Sequence, residues 1–239
     1  LNNPDRKNAL SPHMVNELLY ALDDARDNPE VRVVVLTGAG ESFCAGGDLK
    51  QMAGDGPELE RRGDFDDLLL RFTGLNKPVV AAVNGLCQGG GLQIALCADM
   101  AVVSERATFR VPELYRGIAD TYYSQMLARL IGPVRTRDLM FTGRTLTAAE
   151  AQDWGMVARV VPHDELLDAA REVLAQCCRT APGARSVVKA SIDNYLGLYD
   201  RIGMQRSLGS PESIEGFMAF KDRRSPEWVH PDLRIDGRL

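Results

Sequence analysis

Histidine is nearly absent from this 239-residue chain: there are three, His13, His163 and His230. They are scattered and form no HxxxH or HExxH pair, so the sequence offers no paired-ligand metal motif and no metal is expected. Cysteine is scarce as well. The five present (Cys44, Cys87, Cys97, Cys177, Cys178) are odd in number, and their spacing suits neither a zinc site nor a disulfide framework. Each reads as a small buried apolar residue in a reducing compartment. No run approaches the ~20 apolar residues of a membrane span, and no signal peptide is visible. The expectation is a cytoplasmic protein, with a removed organellar targeting segment left open because the first residue is not methionine. A basic excess is missing too: net charge is −5 with the signs interspersed, which argues against nucleic-acid binding. Finally, "GGGLQIA" is not GxGxxG and no GK[ST] exists, so neither nucleotide fingerprint is present.

What the chain has is an ordinary globular composition, 45% hydrophobic and 26% charged. Its length suits one large domain, or a domain with a small appendage. The first half alternates two periodicities. "SPHMVNELLYALDDARDNP" opens with a Ser N-cap and Pro at the first helical position, followed by Met14, Val15, Leu18, Leu19 and Leu22 at helical spacing. "VRVVVLTG", "KPVVAAVNG" and "AVVSE" read as buried parallel strands, "QIALCADM" as a helix, and "TFRVPE" as a short extended piece. This alternation predicts an α/β sheet with packed helices. Residues 51–76 read as a polar loop followed by a helix over "FDDLLLRF". After about Gln125 the pattern becomes mostly helical.

Two glycine-rich stretches follow the first two strands: "SFCAGGDLK" and "NGLCQGGGLQ". Loops at the carboxyl ends of parallel strands can face one pocket. Glycine lets backbone N–H groups approach a ligand oxygen closely, and a helix starting behind them adds its positive end. Two converging N–H groups make an oxyanion hole, suited to a thioester enolate or a tetrahedral intermediate. The plainer reading is that these glycines only permit tight turns.

Together "LNNPDRKNALS", "VVVLTGAGESFCAGGDLKQM", "KPVVAAVNGLCQGGGLQIALCADMAVVSERATFRVPELYRGI", "TGRTLTAAEAQDWGMVARVVP" and "EGFMAFKDRRSPEW" resemble the crotonase superfamily, the enoyl-CoA hydratase/isomerase family. The resemblance runs along almost the whole chain in order. It implies a ββα spiral over residues 1–180 with a helical C-terminal region (181–239) for trimerisation and CoA contact. Homotrimers or dimers of trimers would follow. The oxyanion donors would be the N–H groups of Gly47 and Gly90. Ala45, Gly46, Asp48, Leu49 and Lys50 would contact coenzyme A, as would Phe220 and Arg223, often across a subunit boundary. Coenzyme A is then part of the substrate, and no separate cofactor is implied.

Family hydratases carry two glutamates at the substrate's α and β carbons. One position is Glu113 here; the other is Gln93, whose amide cannot serve as a general acid or base. Hydratases also commonly carry a PGAGG-type stretch where this chain has "GIADTYYSQ". With the loop taken as one residue shorter, Asp120 falls where dienoyl-CoA isomerases carry a catalytic Asp; the plainer reading is a cap for the helix that follows. Tyr122 and Tyr123 replace small residues. They either alter the pocket wall and bond a polar acyl group or water, or only pack a helix start. Glu113 itself, without the family context, reads as a surface glutamate at a helix start. The expected function is an acyl-CoA-transforming enzyme of the hydratase/isomerase type with Glu113 as acid/base. Alternatives are isomerase-only chemistry, decarboxylation or C–C cleavage, or a weakly catalytic acyl-CoA-binding protein.

Overall fold

The computed structural model describes residues 1–52, 62–196, 209–229, 231 and 234. Its elements are α1 (Pro12–Asp27), β1 (Val34–Thr37), β2 (Ser42–Cys44), α2 (Leu49–Met52), α3 (Phe65–Gly74), β3 (Val79–Val83), β4 (Leu86–Gln88), α4 (Gly90–Cys97), β5 (Met100–Ser104), β6 (Thr108–Arg110), a 3-10 turn (Glu113–Arg116), α5 (Thr121–Leu130), α6 (Pro133–Thr142), β7 (Leu146–Thr147), α7 (Ala148–Asp153), β8 (Arg159–Val161), α8 (Leu166–Cys177), α9 (Pro182–Leu196) and α10 (Pro211–Asp222).

The strands form two four-stranded sheets, β1-β3-β5-β8 and β2-β4-β6-β7. Every neighbouring pair is parallel except β6 with β7. Successive strands alternate between the sheets: β1, β3 and β5 lie in one, β2, β4 and β6 in the other. Each turn of the chain therefore adds one strand to each sheet, which is the ββα spiral implied by the resemblance. The residues alone predict only one sheet. β2 and β4 lie inside stretches that read as glycine-rich loops, and β7 and β8 lie inside the region that reads as helical.

The apolar run "VVAAV" of β3 is continuous because both of its faces are covered. Val79, Ala81 and Val83 belong to the main core, with Leu19, Phe43, Phe72 and Phe109. Val80 and Ala82 face Leu166, Ala170, Val173 and Leu174 of α8. Helix α1 starts as its sequence predicts: the Ser11 side chain accepts the Met14 N–H at 3.1 Å, and Pro12 follows. Among the cysteines, Cys44, Cys87 and Cys97 are buried, but Cys177 is half-buried and Cys178 is exposed, contrary to the expectation that all five pack inside.

The chain crosses from one sheet to the other at glycine corners. A Cβ on Gly38 would stand 2.1 Å from the Ser42 carbonyl oxygen, and one on Gly85 would stand 1.9 Å from that of Glu41. Asn84 stitches the corners together, accepting from the Gly38 N–H at 3.1 Å and donating to the Gly40 carbonyl at 2.8 Å. Backbone cannot yield as a flexible side chain can. Gly85→Ala is therefore expected to lower the unfolding free energy by about 3 kcal/mol or more. A denaturant midpoint equal to that of the parent protein would refute the corner's tightness.

Candidate active site

Strands β2 and β4 pair with Cys44 opposite Cys87. Counting onward from that pair, Gly46 and Gly89 are each two residues along, and Gly47 and Gly90 are each three. Gly46 and Gly89 are buried and have positive φ (91° and 54°), a conformation that glycine adopts without strain. They meet closely: a Cβ on Gly46 would lie 3.3 Å from the Gly89 Cα and 3.2 Å from the Gly90 nitrogen. The two glycine-rich loops therefore converge, as their positions after parallel strands predict.

The N-terminal segment runs alongside the first loop. Ala45 N–H donates to the Lys7 carbonyl (3.0 Å), Leu10 N–H to that of Gly46 (2.8 Å), and Asp48 N–H to that of Leu10 (3.3 Å). This pattern skips the Gly47 N–H, which has no acceptor among the described residues. Gly90 is the first residue of α4, where an N–H has no partner within the helix. Both glycines are half-buried and line one cavity of about 610 Å³.

Charges of both signs line that cavity: Arg6, Lys7, Lys50 and Arg116, with Asp5, Asp48, Asp64, Glu113 and Asp120. Arg6 pairs with Asp48 at 2.7 Å, so the Asp48 carboxylate is already committed; it also accepts the Lys50 and Gln51 N–H groups at the start of α2. Ala45, Gly46, Leu49 and Phe220 line the cavity too. Arg223 does not. It is an exposed residue just past the end of α10, so the structure does not bring it to the site of its own chain.

Glu113 follows β6 and begins the 3-10 turn. It is not a surface glutamate. One carboxylate oxygen comes within 3.0 Å of where a Cβ on Gly89 would be. The other, Oε2, is buried with no hydrogen-bond partner among the described residues. Burial, reinforced by the nearby Asp120 charge, raises its pKa to about 8. The group is thus mostly protonated at neutral pH and can both give and take a proton.

Gln93 lies one turn into α4. Its amide donates to Asp120 Oδ2 at 2.7 Å, within the protein. Asp120 is buried, caps α5 by accepting the Tyr123 N–H at 3.2 Å, and lines the cavity, so the capping and site positions coincide. Desolvation raises its pKa to about 6, against the lowering effect of these hydrogen bonds. The two tyrosines do not form the pocket wall. Both are buried beneath it, where the Tyr123 hydroxyl donates to the Gly89 carbonyl and the Tyr122 hydroxyl contacts Cys97 Sγ at 2.6 Å.

The model of the family described as enoyl-CoA hydratase/isomerase matches residues 1–231. The chain belongs to the enoyl-CoA hydratase/isomerase family. It is an enzyme of the hydratase/isomerase type, acting on acyl-CoA. A carnitinyl-CoA dehydratase of Proteus mirabilis is 38% identical over 238 residues, covering 93% of this chain and 91% of the relative. A solved enoyl-CoA hydratase/isomerase from Pseudoalteromonas atlantica superposes with a TM-score of 0.82 at 30% identity, covering 96% of this chain and 94% of that one. A monofunctional enoyl-CoA isomerase from M. smegmatis gives 0.72 at 33% identity, covering 86% and 91%.

Cavity-lining residues that sequence reasoning missed include Arg6, Lys7, Leu10, Phe65, Arg116 and Ile118. Phe65 and Leu10 close over Gly90: a Cβ there would lie 3.1 Å from each of them. "PDRKN" signals Arg6 and Lys7 only once the bridge between Leu10 and Gly47 is known.

Proposed function

We propose that this cavity binds an enoyl-CoA thioester, with its carbonyl oxygen between the Gly47 and Gly90 N–H groups and Glu113 as the proton shuttle. The observation that carries the reading is the Glu113 carboxyl, whose Oε2 is buried and has no partner among the described residues, beside two converging loops in which the Gly47 and Gly90 N–H groups have no acceptor among the described residues. Donors fixed in advance stabilise the enolate oxygen and so acidify the α and γ carbons. In isomerisation, Glu113 takes a proton from one carbon and returns it to the other end of the enolate. In hydration, a water oxygen adds to Cβ, Glu113 accepts a water proton, and a proton is delivered to Cα. Asp120 is the second carboxylate, in place of the amide at Gln93, and Gln93 orients it through their 2.7 Å hydrogen bond.

Arg6, Lys7 and Lys50 of the cavity lining suit the phosphates of coenzyme A, and Ala45, Gly46, Leu49 and Phe220 suit its less polar parts. Asp48 acts through Arg6 rather than on the ligand. No separate cofactor enters this scheme. Exposed apolar side chains on α9 (Val187, Val188, Ile192, Tyr195) and α10 (Ile214, Met218) support self-association into trimers, and Arg223 would then face a neighbouring subunit. The five free cysteines fit a cytoplasmic setting.

A substrate panel tests the reading: straight-chain 2-enoyl-CoAs, 3-enoyl-CoAs and carnitinyl-CoA, followed by the absorbance of the conjugated thioester. At least one is expected to turn over. Asp120→Asn keeps an acceptor for the Tyr123 N–H and removes a titratable group. It is expected to slow that reaction about ten- to hundredfold. Turnover within threefold of the parent would exclude Asp120 from proton transfer.

A further inference from the structure

The Tyr123 hydroxyl lies outside the cavity but reaches one of its walls from behind. It donates to the carbonyl of Gly89. That carbonyl and the Gly90 N–H belong to the same peptide group. The same oxygen also accepts the Leu92 N–H at 2.9 Å and the Gln93 N–H at 3.1 Å, so it holds the start of α4. Gly89 has φ 54° and Gly90 has no side chain, so glycine itself does little to fix the plane of this peptide. Tyr123 is fully buried, on a helix whose first turn is tied to α4 twice more, through Asp120 to Gln93 and Tyr122 to Cys97. The phenol therefore approaches from a rigid frame.

We infer that Tyr123 is a positioning residue for thioester activation: by donating to the Gly89 carbonyl it fixes the Gly89–Gly90 peptide plane and strengthens the Gly90 N–H as a donor to the substrate oxygen. The physical basis is hydrogen-bond cooperativity. An amide whose oxygen accepts a bond donates more strongly through its nitrogen, and the effect is larger in a buried, low-dielectric setting. Burial raises the Tyr123 pKa well above the ordinary phenol value, so the hydroxyl stays protonated and a donor across the working pH range. The phenol never touches the substrate; it acts through one peptide group. This inference rests on the reading of Gly90 as a thioester donor.

The test uses 4-dimethylaminocinnamoyl-CoA, whose visible band moves to longer wavelength as its carbonyl is polarised. The parent protein is expected to shift the band on binding. Tyr123→Phe removes one oxygen atom. It is expected to lose a measurable part of the band shift and to lower kcat about three- to tenfold on the best substrate of the panel, with KM changed less than twofold. Tyr122→Phe is the control. It deletes a buried hydroxyl from the same helix turn, but one that contacts Cys97, and is expected to keep the full shift. Replacement of Tyr123 by 3-fluorotyrosine, a stronger donor, is expected to keep or increase it.

An unshifted band in the parent would defeat the reading of Gly90, and this inference with it. A full shift in the parent retained by Tyr123→Phe would overturn only the role of Tyr123. Equal losses in Tyr122→Phe and Tyr123→Phe would also overturn it, since packing and not the bond to Gly89 would then be responsible. A Tyr123→Phe protein that fails to fold leaves the 3-fluorotyrosine protein to decide: a smaller shift there overturns the inference.

Discussion

Glu113→Gln is expected to reduce turnover by about a thousandfold or more while leaving the affinity for CoA thioesters within about twofold. The amide fills the same space and preserves polar contact, but it can neither accept nor release a proton. The carboxyl's pKa of about 8 adds a pH signature. In a reaction begun by proton abstraction, kcat/KM of the parent should rise with pH and level off above about 8, as the free enzyme's carboxyl ionises. Stability should move the other way. The unfolded carboxyl titrates near 4.5 and the folded one near 8, so the unfolded state holds fewer protons between those values. Parent stability attributable to this group is therefore fully present below about 4.5 and is lost as pH rises through about 8. The Gln variant lacks that loss, so its melting temperature should gain on the parent's across the same window. An undiminished kcat in Glu113→Gln would remove Glu113 from the chemistry.

Gly90→Pro is expected to lower kcat by about 10²–10³-fold with the fold retained. Proline is favoured in the first turn of a helix, where the N–H it lacks has no helical partner. Gly90 holds that position in α4. The substitution thus deletes one donor at a place where the backbone tolerates it. The added ring carbons meet Leu10 and Phe65, and Gly90→Ala controls for this because its Cβ meets the same two side chains at 3.1 Å while the N–H stays. The alanine variant should keep most of its activity and the proline variant should not. If both lose activity equally, crowding of Leu10 and Phe65 explains the loss and the N–H does not.

Long apolar runs were legible in the sequence, and short elements were not. "KPVVAAVNG" announces β3 because its alternate residues pack against two different cores. β2 and β4, three residues each, contain Ser, Cys and Gln beside glycines, and they become strands only through tertiary pairing, β2 with β4 and β4 also with β6. No local propensity marks them. The same holds for the site. The glycine loops and Glu113 stood out through their motifs, and the burial of Glu113 agrees with a raised pKa. Arg6, Lys7, Leu10 and Phe65 reach the cavity only through tertiary contacts with distant loops. Tyr123 stands out in the sequence for its bulk, but the sequence does not give its direction: the ring lies under the cavity, not along it. Asp120 reads from sequence as either a helix cap or a site residue; in the structure it caps α5 and also lines the cavity.

The equal count from the Cys44–Cys87 pair to Gly47 and Gly90 has a consequence for how this enzyme can change. The spacing of the two proposed amide donors follows from the pairing of β2 with β4, since neighbouring strands lie roughly 4.8 Å apart. On the proposed assignment, substitutions around Asp120, Gln93 or Ile118 would alter what happens to the acyl group while the spacing of the proposed thioester clamp stays the same. A one-residue insertion between β4 and Gly90 would put the clamp out of step, however conservative its chemistry.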